Sequence, residues 1–432
     1  MNENKIIPLD IDIFFVLIRE ALMREENTTS DEIICALISF MIMSFYIFET
    51  ASWGRYVIFG ITILVTLIYA ANNGFKIPLV LNRPFHVHVA AFAIFCFASS
   101  IWAWNSVAAI SKGITIFSIL ICYSLIYPYF QQKGNIDILL DAFMFSGYGI
   151  ALYTVVYYGT SGIVSMLSGN VRLGNDFTNA NSIGLIAATS CIIQFSYLLK
   201  RKKRKFAIFL IPCIIVLAIS QSRKAMIMLV VGIAFLIMTK ESDRASIFKK
   251  AFNLVLGVLA VFFLIYVMSR LDIFSGVFRR FETLFESING TRAEDIRSIY
   301  RRIGMQQFYK TPILGIGIGN SLDLLESVGH RRTYLHCNFV EILSSGGIVG
   351  FIIYYSIYIK LIVGLWKYRR YRSTTTNLCI VLLFLMLIMD YGMVTYYDKQ
   401  QYLYFMCFFL QLELIKKDYY AIEESERYEN NV

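Results

Sequence analysis

Twelve apolar runs recur along the chain, at 32–48, 56–71, 88–104, 108–127, 139–158, 181–199, 206–220, 225–239, 251–268, 343–365, 377–395 and 401–415. A bilayer core about 30 Å thick takes roughly 20 apolar residues in helix. Runs of this size and number predict an all-α polytopic membrane protein of about twelve transmembrane helices. Composition agrees: 57% of residues are hydrophobic and 16% are charged, against roughly 25% charged in an ordinary soluble domain. A soluble enzyme, a disordered chain and a nucleic-acid-binding domain are all poor fits. Six prolines and 16% aromatic residues suit long helices with wet ends better than a barrel of alternating strands.

Lysine and arginine collect in alternate short loops, which sets the orientation. With the N-terminus inside, the inner loops hold Lys76, Arg83, Lys133, the block Lys200–Lys205, Lys240, Arg244, Lys249, Lys250, Lys367, Arg369, Arg370 and Arg372. The short outer loops hold Arg55, Lys112, Arg172, Arg223, Lys224 and Lys399. The net charge of +10 is therefore mostly a topology signal, and both termini are expected in the cytoplasm. The chain divides into a cytoplasmic tail at 1–31, spans one to nine at 32–268, a long extracytoplasmic loop at 269–337, spans ten to twelve at 338–415, and a second tail at 416–432. The run IDIFFVLI in the first tail is flanked by Asp10, Asp12, Arg19 and Glu20 with no small-residue cleavage site after it. It reads as an amphipathic helix and not as a signal peptide.

The eight cysteines form no CxxC pair, and seven lie in spans, leaving Cys337 near the outer surface. Four histidines and no clustered carboxylates argue against a metal site. No phosphate-binding glycine motif sits between strand and helix. No cofactor is expected.

The loop at 269–337 breaks the rhythm, and loops this long carry function or are disordered. Nine of its ten cations are arginine (270, 279, 280, 292, 297, 301, 302, 331 and 332, with Lys310), and the guanidinium fork suits phosphate and carboxylate oxygens. Thr291–Lys310 has the pattern of an amphipathic surface helix, with Ile296, Ile299, Tyr300, Ile303 and Phe308 on its apolar side. Arg297 and Arg301, four apart, share one face; like charges there repel unless an anion lies between them. Pro312 stops the helix, Gly315, Gly317 and Gly319 permit a tight path, and Asn320 or Ser321 is placed to cap a short helix through Val328. Arg172 in a turn-rich outer loop, Arg223 in SQSRKAM, and His336 face the same side. Together these groups suit a lipid-linked diphosphate. The competing reading is a solvated basic surface for anionic lipid heads, with Arg223 an interfacial anchor. Glu341, about one turn below His336, is an intramembrane acid and so a functional candidate; Asp390 lies near the outer end of its span, where it could simply reach water.

The ordered set Arg297-Ser-Ile-Tyr-Arg301, Pro312-Ile-Leu-Gly315-Ile-Gly317-Ile-Gly319-Asn320, His336 and Gly346-Gly347-Ile-Val-Gly350 resembles the O-antigen ligase and Wzy-type polysaccharide polymerase family. Arg172-Leu-Gly, Asn179-Ala-Asn181 and Ser220-Gln-Ser-Arg223 are similar too. One departure is Cys337 directly after the histidine, where many relatives have Asn; here Asn338 follows one later. The resemblance implies a metal-independent glycosyltransferase of the bacterial cytoplasmic membrane. Its donor would be an undecaprenyl-diphosphate-linked oligosaccharide and its acceptor a sugar hydroxyl, with a chain-length regulator and a flippase as candidate partners. On it, Arg172, Arg223 and Arg297 form the diphosphate clamp with Arg301 as a weaker fourth. His336 accepts the hydroxyl proton or holds the diphosphate, and Glu341 orients His336 or contacts an arginine. Transfer to another polymer unit is favoured over ligation to a finished lipid core. A transporter or flippase of lipid-linked sugars would use a similar basic cavity, but such proteins usually show internal repeats, and none is evident here.

The orientation is checked by cysteine accessibility in intact cells. A cysteine introduced between 269 and 337 should react with an impermeant maleimide, and one in Lys200–Lys205 should not. Reaction of the first only after permeabilisation would invert the topology.

Overall fold

The computed structural model describes residues 28–48, 53–76, 80–168, 171–173, 179–201, 204–239, 247–289 and 294–430. The amphipathic helix expected within residues 1–31 lies outside them. The order is α1 (Thr29–Ile47), α2 (Gly54–Asn72), α3 (Pro84–Ser99), α4 (Ser106–Lys133), α5 (Asp137–Leu167), α6 (Ala180–Arg201), α7 (Leu210–Ser220), α8 (Arg223–Met238), α9 (Ile247–Ser269), α10 (Ser275–Ile288), α11 (Ile296–Lys310), α12 (Ser321–Ser327), α13 (Asn338–Lys367), α14 (Ser373–Asp390) and α15 (Lys399–Asn430). No strand occurs among the described residues.

Each of the twelve apolar runs overlaps one of the helices α1–α9 and α13–α15, with 88–104 and 377–395 extending five residues beyond α3 and α14. Among the described residues, seven helices are long and apolar enough to cross a membrane by themselves, and eight if α9 and α10, bent by 97° to each other, count as one broken span. The difference from twelve is mainly one of length: α3 and α8 have 16 residues each and α7 has 11, short of the roughly 20 that a full crossing takes.

At one end of the bundle, two ion pairs tie helices together. Thr28 and Asp31 form a capping box that starts α1. The same Asp31 carboxylate takes a hydrogen bond from the Tyr129 hydroxyl (2.5 Å) and an ion pair from Lys133. Arg372 pairs with Asp418 at 2.7 Å.

At the opposite end, the stretch that follows α11 folds back between α3 and α13. Its docking depends on a break in α13 at Gly347, where φ is 61° and ψ is −166°, a conformation open essentially to glycine alone. The break frees backbone groups that the loop then uses. Ile348 N–H donates to the Pro312 carbonyl (2.8 Å), Val349 N–H to the Ile313 carbonyl (3.2 Å), and Ile316 N–H to the Ser344 carbonyl (3.2 Å). A side chain on Gly347 would run into the Ile313 carbonyl. Beyond it, Asn320, fully buried, holds the turn before α4. Its Oδ1 accepts from Asn105 N–H (2.6 Å) and its Nδ2 donates to the Asn105 carbonyl (3.3 Å). Asn320 thus stands at the α12 N-cap, but its side chain makes no capping bond.

One expectation for this region is corrected. The helix expected over Thr291–Lys310 starts only at Ile296, where the Asp295 carboxylate caps it by accepting from Arg297 N–H (3.2 Å). Cys337 is 2% exposed, packed with Tyr300, Leu335 and Val340 where α11 lies on α13.

Gly347→Ala should lower stability by about 1–3 kcal/mol and, in particular, loosen residues 312–319. Hydrogen exchange would read this as faster exchange at Ile348 and Val349. Unchanged protection there would mean that the loop does not depend on the break.

Candidate functional site

Seven cationic or ionisable side chains from five segments converge at the end of the bundle where α7 stops and α8 and α13 begin. Arg172 comes from the segment before α6. Its Nε donates to the Ser220 carbonyl (2.9 Å) and its Nη2 to Asn181 Oδ1 (3.0 Å). Gln221, in the left-handed region at φ 47°, ends α7, and Ser222 then caps α8 by accepting from Ala225 N–H (3.3 Å). This tight turn puts Arg223 and Lys224 on the first turn of α8. Arg223 donates to the Arg280 carbonyl of α10 (2.8 Å), and Lys224 donates to the Gly392 carbonyl after α14. Arg297 and Arg301 stand one turn apart on α11. Arg301 donates to Ser298 Oγ (2.9 Å) and lies over the Tyr391 ring, 5.0 Å from its centroid.

His336 sits immediately before α13 in the left-handed region, φ 59°, which is uncommon for a residue with a side chain and is a hallmark of functional sites. Its ring is held by aromatic neighbours: Tyr334 at 4.3 Å, and Tyr300 at 6.2 Å with the planes 9° apart. The residue before it, Leu335, is held by Glu341, whose carboxylate accepts from Leu335 N–H (2.9 Å) and from the Ser321 hydroxyl.

Electrostatics shows that these groups share one place. The His336 pKa is pushed down to about 4, first by burial and then by the charges of Arg297, Lys224 and Arg301, with Asp295 opposing. Arg172 is pushed down to about 10, first by burial and then by Arg280, Arg297 and Arg223. All of these side chains are half-buried. Among the described residues, none of the six cations forms an ion pair with a carboxylate. On the same loop, the exposed arginines Arg302 and Arg332 do pair, with Glu294 (3.1 Å) and with Asp323 and Glu326 (both 2.6 Å). Half-buried like charges without counterions repel and lose hydration. Such an arrangement is built to accept an anion.

Residues 206–355 match the Wzy_C family model, described as O-antigen ligase. Among curated proteins, none matches the chain. The O-antigen ligase match runs from the segment before α7 to the middle of α13. It contains Arg223, Lys224, Arg280, Arg297, Arg301 and His336, while Arg172 lies before it.

The structure brings five of the six sequence-derived site residues together: Arg172, Arg223, Arg297, Arg301 and His336. Glu341 is placed differently. At 1% exposure it stands behind the cluster as a brace for the chain entering His336, and the cation whose charge reaches it is Lys112. Asp390 is also not at water. It is fully buried and accepts from Thr395 Oγ1 (2.5 Å), Tyr355 (3.1 Å), Tyr358 (3.2 Å) and Asn338 Nδ2 (3.3 Å). Asn338 in turn accepts from Thr395 and Tyr396 N–H (2.9 and 3.1 Å). Lys224 and Arg280 stand outside the four-arginine clamp that the sequence suggests, although Lys224 faces the same side as Arg223 there. Lys224 was readable as the neighbour of Arg223, but nothing in the sequence separates Arg280 from the other loop arginines.

The neutral state of His336 can be read from its carbethoxylation rate against pH, followed on the His336 peptide by mass spectrometry. Wild-type protein should give a midpoint near 4, and Arg297→Ala should raise it, because a cation that disfavours the imidazolium is gone. A midpoint near the ordinary value of about 6.5 in both would remove the electrostatic coupling.

Proposed function

We propose that the chain is a polysaccharide polymerase. It transfers an undecaprenyl-diphosphate-linked oligosaccharide onto an acceptor sugar hydroxyl at the outer face of the cytoplasmic membrane, with twelve spans and both termini inside. The observation that carries this reading is the cluster of half-buried cations that, among the described residues, lack carboxylate partners, set beside a histidine whose pKa is pushed down. The match to the O-antigen ligase family model supports the same class of chemistry.

In the proposed step the acceptor oxygen attacks the anomeric carbon of the donor. The bond from that carbon to the diphosphate oxygen breaks, and the electron pair leaves with the lipid diphosphate. Arg172, Arg223 and Arg297, with Arg301, Lys224 and Arg280 around them, stabilise the departing negative charge, and preorganised donors are worth most in a water-poor site. His336 takes the acceptor proton. A group that is neutral at physiological pH suits proton acceptance better than it suits holding phosphate as a cation. Binding of the diphosphate offsets the neighbouring positive charge and moves the His336 pKa up toward the operating pH, where a general base is most effective. The guanidinium groups fill the charge-stabilising role that a divalent ion has elsewhere, so no metal is assigned. A flippase would deliver the donor and a chain-length regulator would limit the product. Ligation to a finished lipid core uses the same step with a different acceptor, and the family description names ligation.

Purified protein in detergent, supplied with a lipid-diphosphate oligosaccharide, should lengthen the glycan without a sealed membrane. Arg297→Ala and Arg223→Ala should each slow this by about 10²–10³, and His336→Ala should abolish the pH dependence along with most of the rate. Arg302→Ala, removing an exposed paired arginine, should leave it unchanged, and EDTA should have no effect. Normal chain growth by Arg297→Ala and His336→Ala together would overturn the assignment, whereas flux into vesicles without chain growth would favour transport.

A further inference from the structure

Helix α10 presents two faces to two different environments. Gly276 packs against the Gln221 amide, the Arg280 carbonyl accepts from Arg223, and the Arg280 charge acts on Arg172; this face belongs to the cationic cluster. Ser275, Phe278, Arg279 and Glu282 follow the i, i+3, i+4, i+7 spacing that defines one side of a helix. They line a separate cavity of about 380 Å³. Ser269, Leu271 and Asp272, from the end of α9 and the turn before α10, and Ser168, from the end of α5, complete its wall. The two sets of residues thus lie on different faces of one helix, which stands between the cavity and the cluster.

We infer that this cavity is a glycan subsite, binding sugar residues of a chain whose reacting end lies at the cationic cluster. The volume lies at the small end of the roughly 300–1,000 Å³ range of ligand pockets. Its lining supplies what a sugar presents. The carboxylates of Asp272 and Glu282 accept hydrogen bonds from hydroxyls, the Arg279 guanidinium donates to them, and serine hydroxyls do both; the charged members make the stronger bonds. The half-buried Phe278 ring offers an apolar surface for the C–H face of a pyranose. A second diphosphate is a poor occupant, because two carboxylates face the cavity against one arginine. The subsite deepens the polymerase reading and rests on it for its role, but sugar binding in the cavity can be tested alone.

Ser275 is exposed and all eight native cysteines are buried, so Ser275→Cys in the full chain reports on the cavity by maleimide labelling. The probes are the delipidated oligosaccharide released by mild acid from the host's own lipid-linked pool, and undecaprenyl diphosphate. The oligosaccharide should slow labelling about tenfold when present at about ten times its dissociation constant. Glu282→Gln or Asp272→Asn in the same background should weaken that protection. Undecaprenyl diphosphate should not protect. Labelling unaffected by the oligosaccharide, or slowed by the lipid diphosphate alone, would overturn the subsite. The reading at the cationic cluster fails separately, by loss of undecaprenyl diphosphate binding to the wild-type protein. Saturating donor in chain-growth assays then distinguishes the glycan's source. A raised KM for acceptor in Glu282→Gln places the acceptor there, and a raised KM for donor places the donor's outer sugars there.

Discussion

Unbalanced positive charge in a half-buried place is the constraint around which this end of the molecule is organised. Arg172, Arg223, Lys224, Arg280, Arg297 and Arg301 lie where water screens them poorly, and among the described residues no carboxylate pairs with them. Removing a charge from water without a partner costs several kcal/mol, which a fold does not sustain without support elsewhere. Here the support is local and polar. Backbone carbonyls of Ser220, Arg280 and Gly392 accept from Arg172, Arg223 and Lys224, and the Tyr391 ring underlies Arg301. These acceptors hold the cations in place without cancelling them, so the site keeps a net charge for a ligand to neutralise.

The backbone around the site is held in several places at once. The Gly347 break in α13 receives the Pro312–Ile316 segment that follows α11, which fixes where the Arg297–Arg301 helix ends. Glu341 braces Leu335, next to His336. The Asp390–Asn338–Thr395 network ties the start of α13 to the segment after α14, whose Tyr391 and Gly392 meet Arg301 and Lys224. Elements distant in sequence are thus held to one another by buried polar groups that are satisfied, which is the condition under which such networks rigidify a structure.

Much of this was legible in the sequence, and what was not has a physical cause. Apolar length located every long helix, and the arginine-rich composition of 269–337 marked the loop. The residue types Arg172, Arg223, Arg297, Arg301 and His336 pointed to anion chemistry. The start of α11 was misplaced by five residues because Asp295, the residue that caps it, follows other polar residues that fit a helix equally well. The sequence places Glu341 below His336, to orient it or contact an arginine, and Asp390 at the outer end of its span, near water; the structure buries both. Their hydrogen-bond partners come from residues up to 52 positions away, and no local pattern announces such contacts. The pairing of the Pro312 turn with Gly347 was invisible for the same reason: each half looks like ordinary punctuation until the chain folds. Arg280 reaches the cluster through the 97° bend between α9 and α10, which no local pattern in the sequence announces.

The most direct test is a structure of the full chain with undecaprenyl diphosphate bound. The account predicts diphosphate oxygens about 3 Å from the guanidinium nitrogens of Arg172, Arg223 and Arg297, with the His336 ring facing the side from which an acceptor hydroxyl would approach. Diphosphate lodged instead on the exposed arginines of the loop, with those three side chains unmoved and unoccupied, would contradict it.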